Sequence, residues 1–263
     1  MDLGLKDRVA LVAASSQGLG KAVAFGLARE GVKLALCSRD AKAVEAAAEA
    51  IRRETGAEVF ATATDVTQED QVRLLVQQTI ERFGRIDICV TNAGGPPAKP
   101  FDATTVADWR RAVDLNLMST VFFAREVLPG MRDQGWGRLI AITSLTVKQP
   151  VDNLILSNSV RAAVAGLVKT LANEYGPFNV LVNNVCPGYT ATDRLGELSS
   201  TLAKSSGVPE AEIEKRWTSQ IPLRRLARPD EFADAVVFLC SERATYITGQ
   251  SIAIDGGFAK GLL

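Results

Sequence analysis

The sequence of 263 residues contains no histidine. Histidine is the usual general base near neutral pH and the commonest metal ligand in proteins. Its absence excludes hydrolases of the Ser-His-Asp type, Cys-His proteases and zinc sites with histidine ligands. We therefore expect no metal centre in this protein.

Paired cysteines are also missing. The four cysteines are scattered singly, mostly within apolar runs, and form no Cys-x-x-Cys motif; they are Cys37, Cys89, Cys186 and Cys240. Unpaired cysteines in such runs are typical of reduced, mostly buried thiols in a cytoplasmic protein.

An excess of one charge and long apolar runs are absent as well. Thirty basic residues balance thirty acidic ones, and like charges do not cluster. Such a chain lacks the basic field that neutralises a phosphate backbone, so we expect no nucleic-acid partner. No apolar run reaches about 18 residues, and the first residues lack the pattern of a signal peptide. The sequence thus predicts a cytoplasmic protein without a membrane partner.

What the chain does contain is a regular alternation of two kinds of segment. Short apolar runs alternate with longer segments in which apolar residues recur every three or four positions, which is typical of repeated βαβ units. Seven strand candidates begin at Arg8, Lys33, Glu58, Ile86, Arg138, Asn179 and Ser251. Helices are predicted from Gly20, Ala41 and Gln68 and over residues 106–131 and 153–175. We expect a single α/β domain over 1–263, a doubly wound parallel sheet of seven strands with helices on both faces.

Residues 193–222 depart from this alternation because they are polar and serine-rich, with scattered apolar positions. A long segment of this kind beside an α/β sheet is usually a functional lid or a disordered loop. We favour a lid that covers a substrate.

A glycine-containing turn follows the first predicted strand. In "VAASSQGLGKAVA", Gly18 and Gly20 stand where the strand passes into the first helix. Backbone amides at a helix N-terminus and the helix dipole bind phosphate groups. The turn therefore predicts a dinucleotide site, with a plain tight turn as the alternative.

The turn resembles the fingerprint Thr-Gly-x-x-x-Gly-x-Gly of the short-chain dehydrogenase/reductase family, with Ala13 and Ala14 in place of Thr-Gly. Further family motifs follow in order as "DVT" from Asp65, "TNAGG" from Thr91, "LNLMST", "AITS" and "CPGYTAT". The resemblance covers nearly the whole chain. In the order of its motifs the chain resembles 3-oxoacyl-(acyl carrier protein) reductases. This resemblance implies a Rossmann fold, a nicotinamide cofactor, a small-molecule carbonyl or alcohol substrate, and a homotetramer or homodimer.

By this resemblance the cofactor contacts fall in the turn, after the second to fourth strands, on the helix over 153–175 and after the sixth strand. They are Ala14, Ser15, Ser16, Gln17, Gly18, Leu19, Gly20, Arg39, Asp65, Val66, Asn92, Ala93, Gly94, Arg161, Pro187, Gly188, Thr190 and Thr192. Loss of a glycine at position 14 restricts the bending of the turn.

The end of the second strand bears on the choice of cofactor. An acidic residue there would bind the 2′-hydroxyl of NAD, and an arginine would bind the 2′-phosphate of NADP. The strand ends at Arg39 without a preceding acid, which favours NADP over NAD, aided by the hydroxyls of Ser15 and Ser16. The alternative is that Arg39 caps a surface turn and stacks on the adenine of either cofactor.

The resemblance also places a catalytic tetrad at Asn116, Ser144, Ser157 and Arg161. The family has a tyrosine at position 157, which protonates the substrate oxygen, and a lysine at 161, which holds the nicotinamide ribose. An aliphatic hydroxyl is a far weaker acid than a phenol, whose pKa is about 10. Arginine still supplies a permanent charge for orientation and electrostatic stabilisation.

Several alternatives follow for this site. A water held by Asn116, Ser144 and Ser157 is one source of the missing proton, and Tyr189 and Lys148 are others. We favour an NADP-dependent reductase. The competing hypothesis is a nucleotide-binding sensor or partner subunit without hydride transfer, in which the residues at 157 and 161 have no catalytic role.

Overall fold

A single parallel sheet forms the centre of the computed structural model, which describes residues 1–262 apart from the side chain of Ser205. The sheet has seven strands, as the alternating pattern predicts, and they lie in the order β3-β2-β1-β4-β5-β6-β7. The strands are β1 (Val9–Val12), β2 (Lys33–Ser38), β3 (Val59–Ala63), β4 (Ile88–Thr91), β5 (Gly137–Ile142), β6 (Val180–Pro187) and β7 (Ser251–Ile254).

The helices lie between the strands and in the lid segment. They are α1 (Gly18–Arg29), α2 (Ala41–Thr55), α3 (Glu69–Phe83), α4 (Val106–Ala112), α5 (Ser119–Gln134), α6 (Ile155–Tyr175), α7 (Asp193–Ser206), α8 (Glu210–Gln220) and α9 (Pro229–Cys240). Helices α2 and α3 end at Gly56 and Gly84, both in the left-handed conformation that glycine adopts without a Cβ clash.

Helices cover both faces of the sheet, as predicted. Alternate residues of a strand point to opposite faces. In β1, Ala10 and Val12 join the apolar cluster that includes α1, α2 and α9, whereas Leu11 joins the cluster of α3, α5 and α6. Strands β1, β4 and β5 are buried throughout, which explains their nearly continuous apolar sequences.

The strand order reverses between β1 and β4, because β2 and β3 lie on one side of this pair and β5 to β7 on the other. In open α/β sheets, ligands bind in the crevice at such a reversal, outside the carboxyl ends of the strands. The predicted site residues lie at or just after the ends of β1 to β6, on the π-helical turn Val113–Met118 or on α6. The topology therefore gathers them at one edge of the sheet.

Two segments differ in detail from the sequence prediction. The helix predicted over 106–131 is divided into α4, a π-helical turn at Val113–Met118 and α5. Such single π turns occur frequently at functional sites, and this one carries Asn116. Residues 193–222, considered as a lid or a disordered loop, form the two helices α7 and α8.

None of the helices formed by the described residues combines the length and apolarity that a membrane span requires. All four cysteines are buried, as predicted, and are free thiols.

Candidate functional site

The turn after β1 keeps the backbone shape of a glycine-rich loop although one glycine is replaced. Ala14 has φ +48° and Gly18 has φ +58°, both in the left-handed region. A Cβ on Gly20 would lie 2.4 Å from the carbonyl oxygen of Ala14, so only glycine fits there. The alanine at position 14 therefore adopts a conformation that costs it about 1–2 kcal/mol.

The start of α1 fits a phosphate group. The N-cap residue, Gln17, makes no side-chain hydrogen bond to the amides of the first turn. These amides have no partner within the helix and carry the positive end of the helix dipole. An anion at this end would satisfy them.

The hydroxyl of Ser15 does not take the role predicted for it. Ser15 is fully buried, and its Oγ donates to the carbonyl of Val12 at 2.9 Å and accepts from the amide of Cys37 at 3.2 Å. The hydroxyl thus ties β1 to β2, and the prediction that it helps to hold a 2′-phosphate is wrong. Of the two serines, only Ser16 is partly exposed.

Charged side chains follow the ends of β2 and β3, and they differ in their hydrogen bonds. Arg39 is exposed at the end of β2, and the neighbouring Asp40 is engaged as N-cap of α2, accepting from the amide of Ala43 at 3.0 Å. After β3, Asp65 accepts from the amide and hydroxyl of Thr67 through one oxygen, Oδ1. Arg39 is therefore the charged side chain at the end of β2 that is not bound to its own helix.

The loop after β4 connects the glycine turn with the tetrad positions. Asn92 donates through Nδ2 to the carbonyl of Ala14 at 3.3 Å, and Asn116 donates through Nδ2 to the carbonyl of Gly94 at 2.9 Å. The Oδ1 of Asn116 is buried and has no hydrogen-bond partner among the described residues. Buried polar atoms are ordinarily satisfied, so this oxygen marks a place for a donor from outside the described chain.

Arg161 lies beneath this loop and bridges the ends of two strands. Its guanidinium donates to the carbonyls of Thr143 and Ile142, at the end of β5, and its Nη2 lies 3.5 Å from the carbonyl of Gly94. Burial lowers the pKa of Arg161 to about 10, so the side chain remains charged at neutral pH. Arg161 and Asn116 thus share one acceptor, the carbonyl of Gly94.

Ser157 is one helical turn before Arg161 on α6 and is buried. Its Oγ pairs with the Oγ1 of Thr146, also buried, at 3.1 Å. The Oγ of Ser144 accepts from the amide of Thr146 at 3.2 Å. Thr146 was not among the predicted residues, because only the short helical turn after Ser144 brings it to Ser157.

The loop after β6 lies between the end of β7 and the glycine turn. Gly188 passes so near to β7 that a Cβ on it would lie 2.6 Å from the Cα of Asp255. Thr192 caps α7, and a Cβ on Gly18 would lie 3.8 Å from its Cγ2. Pro187 ends β6, and Thr190 is buried within the loop. The structure therefore brings the loop after β6 against the glycine turn.

Arg194 is a further residue of this region that the sequence analysis missed. It is the second residue of α7, and its Nη2 lies 3.5 Å from the carbonyl of Gly95. The sequence contained no signal for it beyond its place just after the "CPGYTAT" motif.

Tyr189 packs against helix α8. Its ring stacks on Trp217 of α8 with a centroid distance of 5.0 Å and meets Phe258 edge-on at 5.3 Å. Burial raises the pKa of Tyr189, which makes its phenol a weaker acid than usual. A cavity of about 520 Å³ lies between these rings, residues 149–153 and helices α7 and α8.

Among the described residues, no group of three or more cysteine or acidic side chains is arranged to hold a metal ion.

Comparisons with known proteins show which family this chain resembles in sequence. The family described as enoyl-(acyl carrier protein) reductase matches residues 13–259. The chain is 34% identical to 7alpha-hydroxysteroid dehydrogenase of Escherichia coli over 97% of its length and 96% of the relative. It is 33% identical to 3-oxoacyl-[acyl-carrier-protein] reductase of Aquifex aeolicus, over 98% of this chain and 99% of the relative.

Solved structures give the same result. The crystal structure of L-sorbose reductase from Gluconobacter frateurii, complexed with NADPH and L-sorbose, superposes with a TM-score of 0.95 at 34% identity, covering 100% of both chains. A 7alpha-hydroxysteroid dehydrogenase complexed with NADH and 7-oxo glycochenodeoxycholic acid has a TM-score of 0.90 at 32% identity, covering 100% of this chain and 98% of the other. The chain belongs to the short-chain dehydrogenase/reductase family of NAD(P)-dependent oxidoreductases.

Proposed function

We propose that this protein is an NADP-preferring reductase that interconverts a small-molecule carbonyl compound and its alcohol, with Asn116, Ser144, Ser157 and Arg161 at the reacting centre. One observation carries the proposal. The buried, charged guanidinium of Arg161 and the amide of Asn116 both bind the carbonyl of Gly94, next to the glycine turn. The cation of the family's tetrad is thus retained in a fixed position.

The cofactor, when bound, supplies the hydride. Its diphosphate would lie on the free amides at the start of α1, and the 2′-phosphate on Arg39. Ala14, Ser16, Gly18, Leu19 and Gly20 would line the turn, with Asp65 and Val66 near the adenine. Asn92, Ala93, Gly94, Pro187, Gly188, Thr190 and Thr192 would surround the nicotinamide half. The relative solved with NADPH supports the preference for NADP, whereas the dehydrogenase solved with NADH keeps NAD as the second choice.

Arg161 would orient the nicotinamide ribose and stabilise negative charge on the substrate oxygen, because a fixed cation in a water-poor site acts strongly on developing charge. Ser144 would hold the substrate oxygen by a hydrogen bond. The proton would come from the paired hydroxyls of Ser157 and Thr146, replenished by a water that the free Oδ1 of Asn116 helps to hold. The lid of α7 and α8 would cover the substrate.

The alternative of a nucleotide-binding subunit without hydride transfer gains no support from the comparisons, since the reported relatives are named as dehydrogenases and reductases. These relatives also support a small-molecule substrate for this chain. We further propose a homotetramer or homodimer and a cytoplasmic location.

The test has two stages. NADPH and NADH are first titrated against the protein, and nicotinamide absorbance is then followed with 3-oxoacyl thioesters, ketones and quinones. We expect tighter binding of NADPH and turnover of at least one class. Arg39→Glu should reverse the cofactor preference, with Arg53→Glu, an exposed arginine of α2, as the matched control. Cofactor binding without turnover of any of these compounds would reject the proposal that this protein is an enzyme.

A second variant tests the altered pair directly. Ser157→Tyr combined with Arg161→Lys restores the family's residues and should raise the reductase rate. A folded, cofactor-binding double variant that gains no rate over the wild type would contradict the roles given to positions 157 and 161.

A further inference from the structure

Arg161 is a buried cation whose charge is not balanced by a carboxylate. Within residues 1–262, no acidic side chain forms an ion pair with it, and its hydrogen bonds go to the backbone carbonyls of Ile142, Thr143 and Gly94. Buried charges in proteins are ordinarily paired, because desolvation of an unpaired charge is costly. The site therefore has uncompensated positive charge.

A second guanidinium lies close to the first. Arg194 reaches from the lid to the carbonyl of Gly95, one residue beyond the carbonyl that Arg161 contacts. The charge of Arg194 acts with burial to lower the pKa of Arg161. Two like charges thus contact neighbouring carbonyls of the same short loop.

The surroundings add a third cation, and the acid that pairs with Arg194 is weakly held. Burial raises the pKa of Cys186, and the positive charges of Lys148 and Arg161 oppose this rise. Lys148 therefore also lies in this region. Glu197 pairs with Arg194 at 3.5 Å, with 65% of its side chain exposed. An exposed pair one helical turn apart is worth little, so Glu197 leaves Arg194 available to another anion.

We propose that Arg194, acting with Arg161, binds an anionic group of the substrate, and that the preferred substrates are carbonyl compounds or alcohols that carry a carboxylate. This inference rests on the proposed function, since it names the substrate class of the same site. The diphosphate of a dinucleotide has its own donors at the start of α1. Arg194 instead contacts the carbonyl of Gly95, one residue beyond the carbonyl of Gly94 that Asn116 and Arg161 contact.

The test compares acids with their neutral esters in the cofactor-loaded protein. Pyruvate, acetoacetate and levulinate, each beside its methyl ester, are titrated by calorimetry into the complex with NADP⁺, which cannot reduce them. For at least one acid we expect affinity about tenfold or more above that of its ester, as expected for charge-assisted hydrogen bonds. Added salt should weaken acid binding more than ester binding.

Variants assign the effect to Arg194. Arg194→Met should abolish the preference for the acid, and Arg194→Lys should retain part of it. The matched control is Arg216→Met, because Arg216 of α8 is also half-exposed (55%, against 56% for Arg194) and also pairs with a glutamate of its own helix. This control should keep the full preference.

Two results would overturn the inference. One is the absence of any acid preference in the wild type. The other is a loss of affinity in Arg194→Met that falls on NADPH, acids and esters alike, which would assign Arg194 to the cofactor diphosphate. The reductase assay on the same compounds separates this inference from the proposed function. Acid binding without turnover of these compounds or of the wider panel above supports the anion site and rejects the enzyme. Turnover without acid preference supports the enzyme and rejects the anion site.

Discussion

The central question at the scale of single residues is what can replace a tyrosine phenol at position 157. The Ser157 hydroxyl is short, but its 3.1 Å hydrogen bond to Thr146 brings a second hydroxyl next to the turn that holds Ser144. Two hydroxyls that share one hydrogen bond use one of their two protons, so the second can be donated outside the pair. We infer that the pair, rather than Ser157 alone, stands in for the phenol.

The pair should be measurable as an energetic coupling. Thr146→Val and Ser157→Ala should each lower the free energy of unfolding by about 1–3 kcal/mol, because each leaves a buried hydroxyl without its partner. The double variant should lose clearly less than the sum. Denaturant unfolding of the four proteins gives the coupling. Thr146→Val combined with Thr79→Ala, a distant buried hydroxyl bonded to Leu75, is the control and should be additive.

Ala14 provides a second prediction at this scale. Its φ of +48° suits glycine, so Ala14→Gly should raise the free energy of unfolding by up to about 1 kcal/mol, although glycine has more freedom in the unfolded chain. NADPH should also bind at least as tightly. Ala13→Gly, at a buried position of ordinary φ, should be destabilising. A loss of stability in Ala14→Gly equal to that of Ala13→Gly would show that the turn is unstrained.

At the scale of elements, close packing of helices on the sheet holds the crevice in shape. Helices α1 and α9 pack on the same face of the sheet at β1. The turn that faces the crevice leads into α1. A Cβ on Gly26 of α1 would lie 2.8 Å from Val237 of α9, so the two helices approach closely because this position has no side chain. The position of α1, and with it the phosphate-binding amides, therefore depends on α9.

Two glycine variants separate packing from helix propensity. Gly26→Ala should lower the free energy of unfolding by about 1–3 kcal/mol through overpacking, despite the higher helix propensity of alanine. Gly196→Ala on α7, where a Cβ meets nothing within 4 Å, should instead stabilise the protein by up to about 1 kcal/mol. Thermal or denaturant unfolding of both variants provides the measurement. Equal effects of the two changes would contradict the contact between α1 and α9.

At the scale of the whole molecule, helix α6 contributes both to the candidate site and to a proposed contact between subunits. Its Val164 and Val168 pack into the core beside β5 and β6, and Ser157 and Arg161 face the site. Its other side is a row of small exposed residues, Ala162, Ala163 and Gly166. A helix face of small residues permits close approach of a second helix, and we infer that α6 contacts its equivalent in a partner subunit.

Analytical ultracentrifugation tests this arrangement. The wild type should sediment as a dimer or tetramer, and Ala163→Arg should reduce the assembly because it places a charged chain in a close helix contact. Ala46→Arg, at an exposed position of α2, is the control and should leave the mass unchanged. An Ala163→Arg variant that sediments like the wild type would remove α6 from the interface.

The sequence by itself determined the fold of this protein. The alternation of apolar runs and amphipathic segments specified seven parallel strands, because strand and helix periodicities differ and each segment must bury its apolar side. The fixed spacing of Ser144, Ser157 and Arg161 also determined which positions face the site, since residues four apart share one side of a helix. These are local properties, and a sequence contains them directly.

Only the tertiary structure decided how those side chains are engaged. It turned the Ser15 hydroxyl into the sheet, joined Ser157 to Thr146, and brought Arg194 of the lid beside the loop that holds Arg161. The contacts of Ser15 with Cys37, of Ser157 with Thr146 and of Arg194 with Gly95 join residues that are 22, 11 and 99 positions apart in the sequence. Their geometry depends on the packing of the whole sheet and its helices, which no local pattern in the sequence specifies.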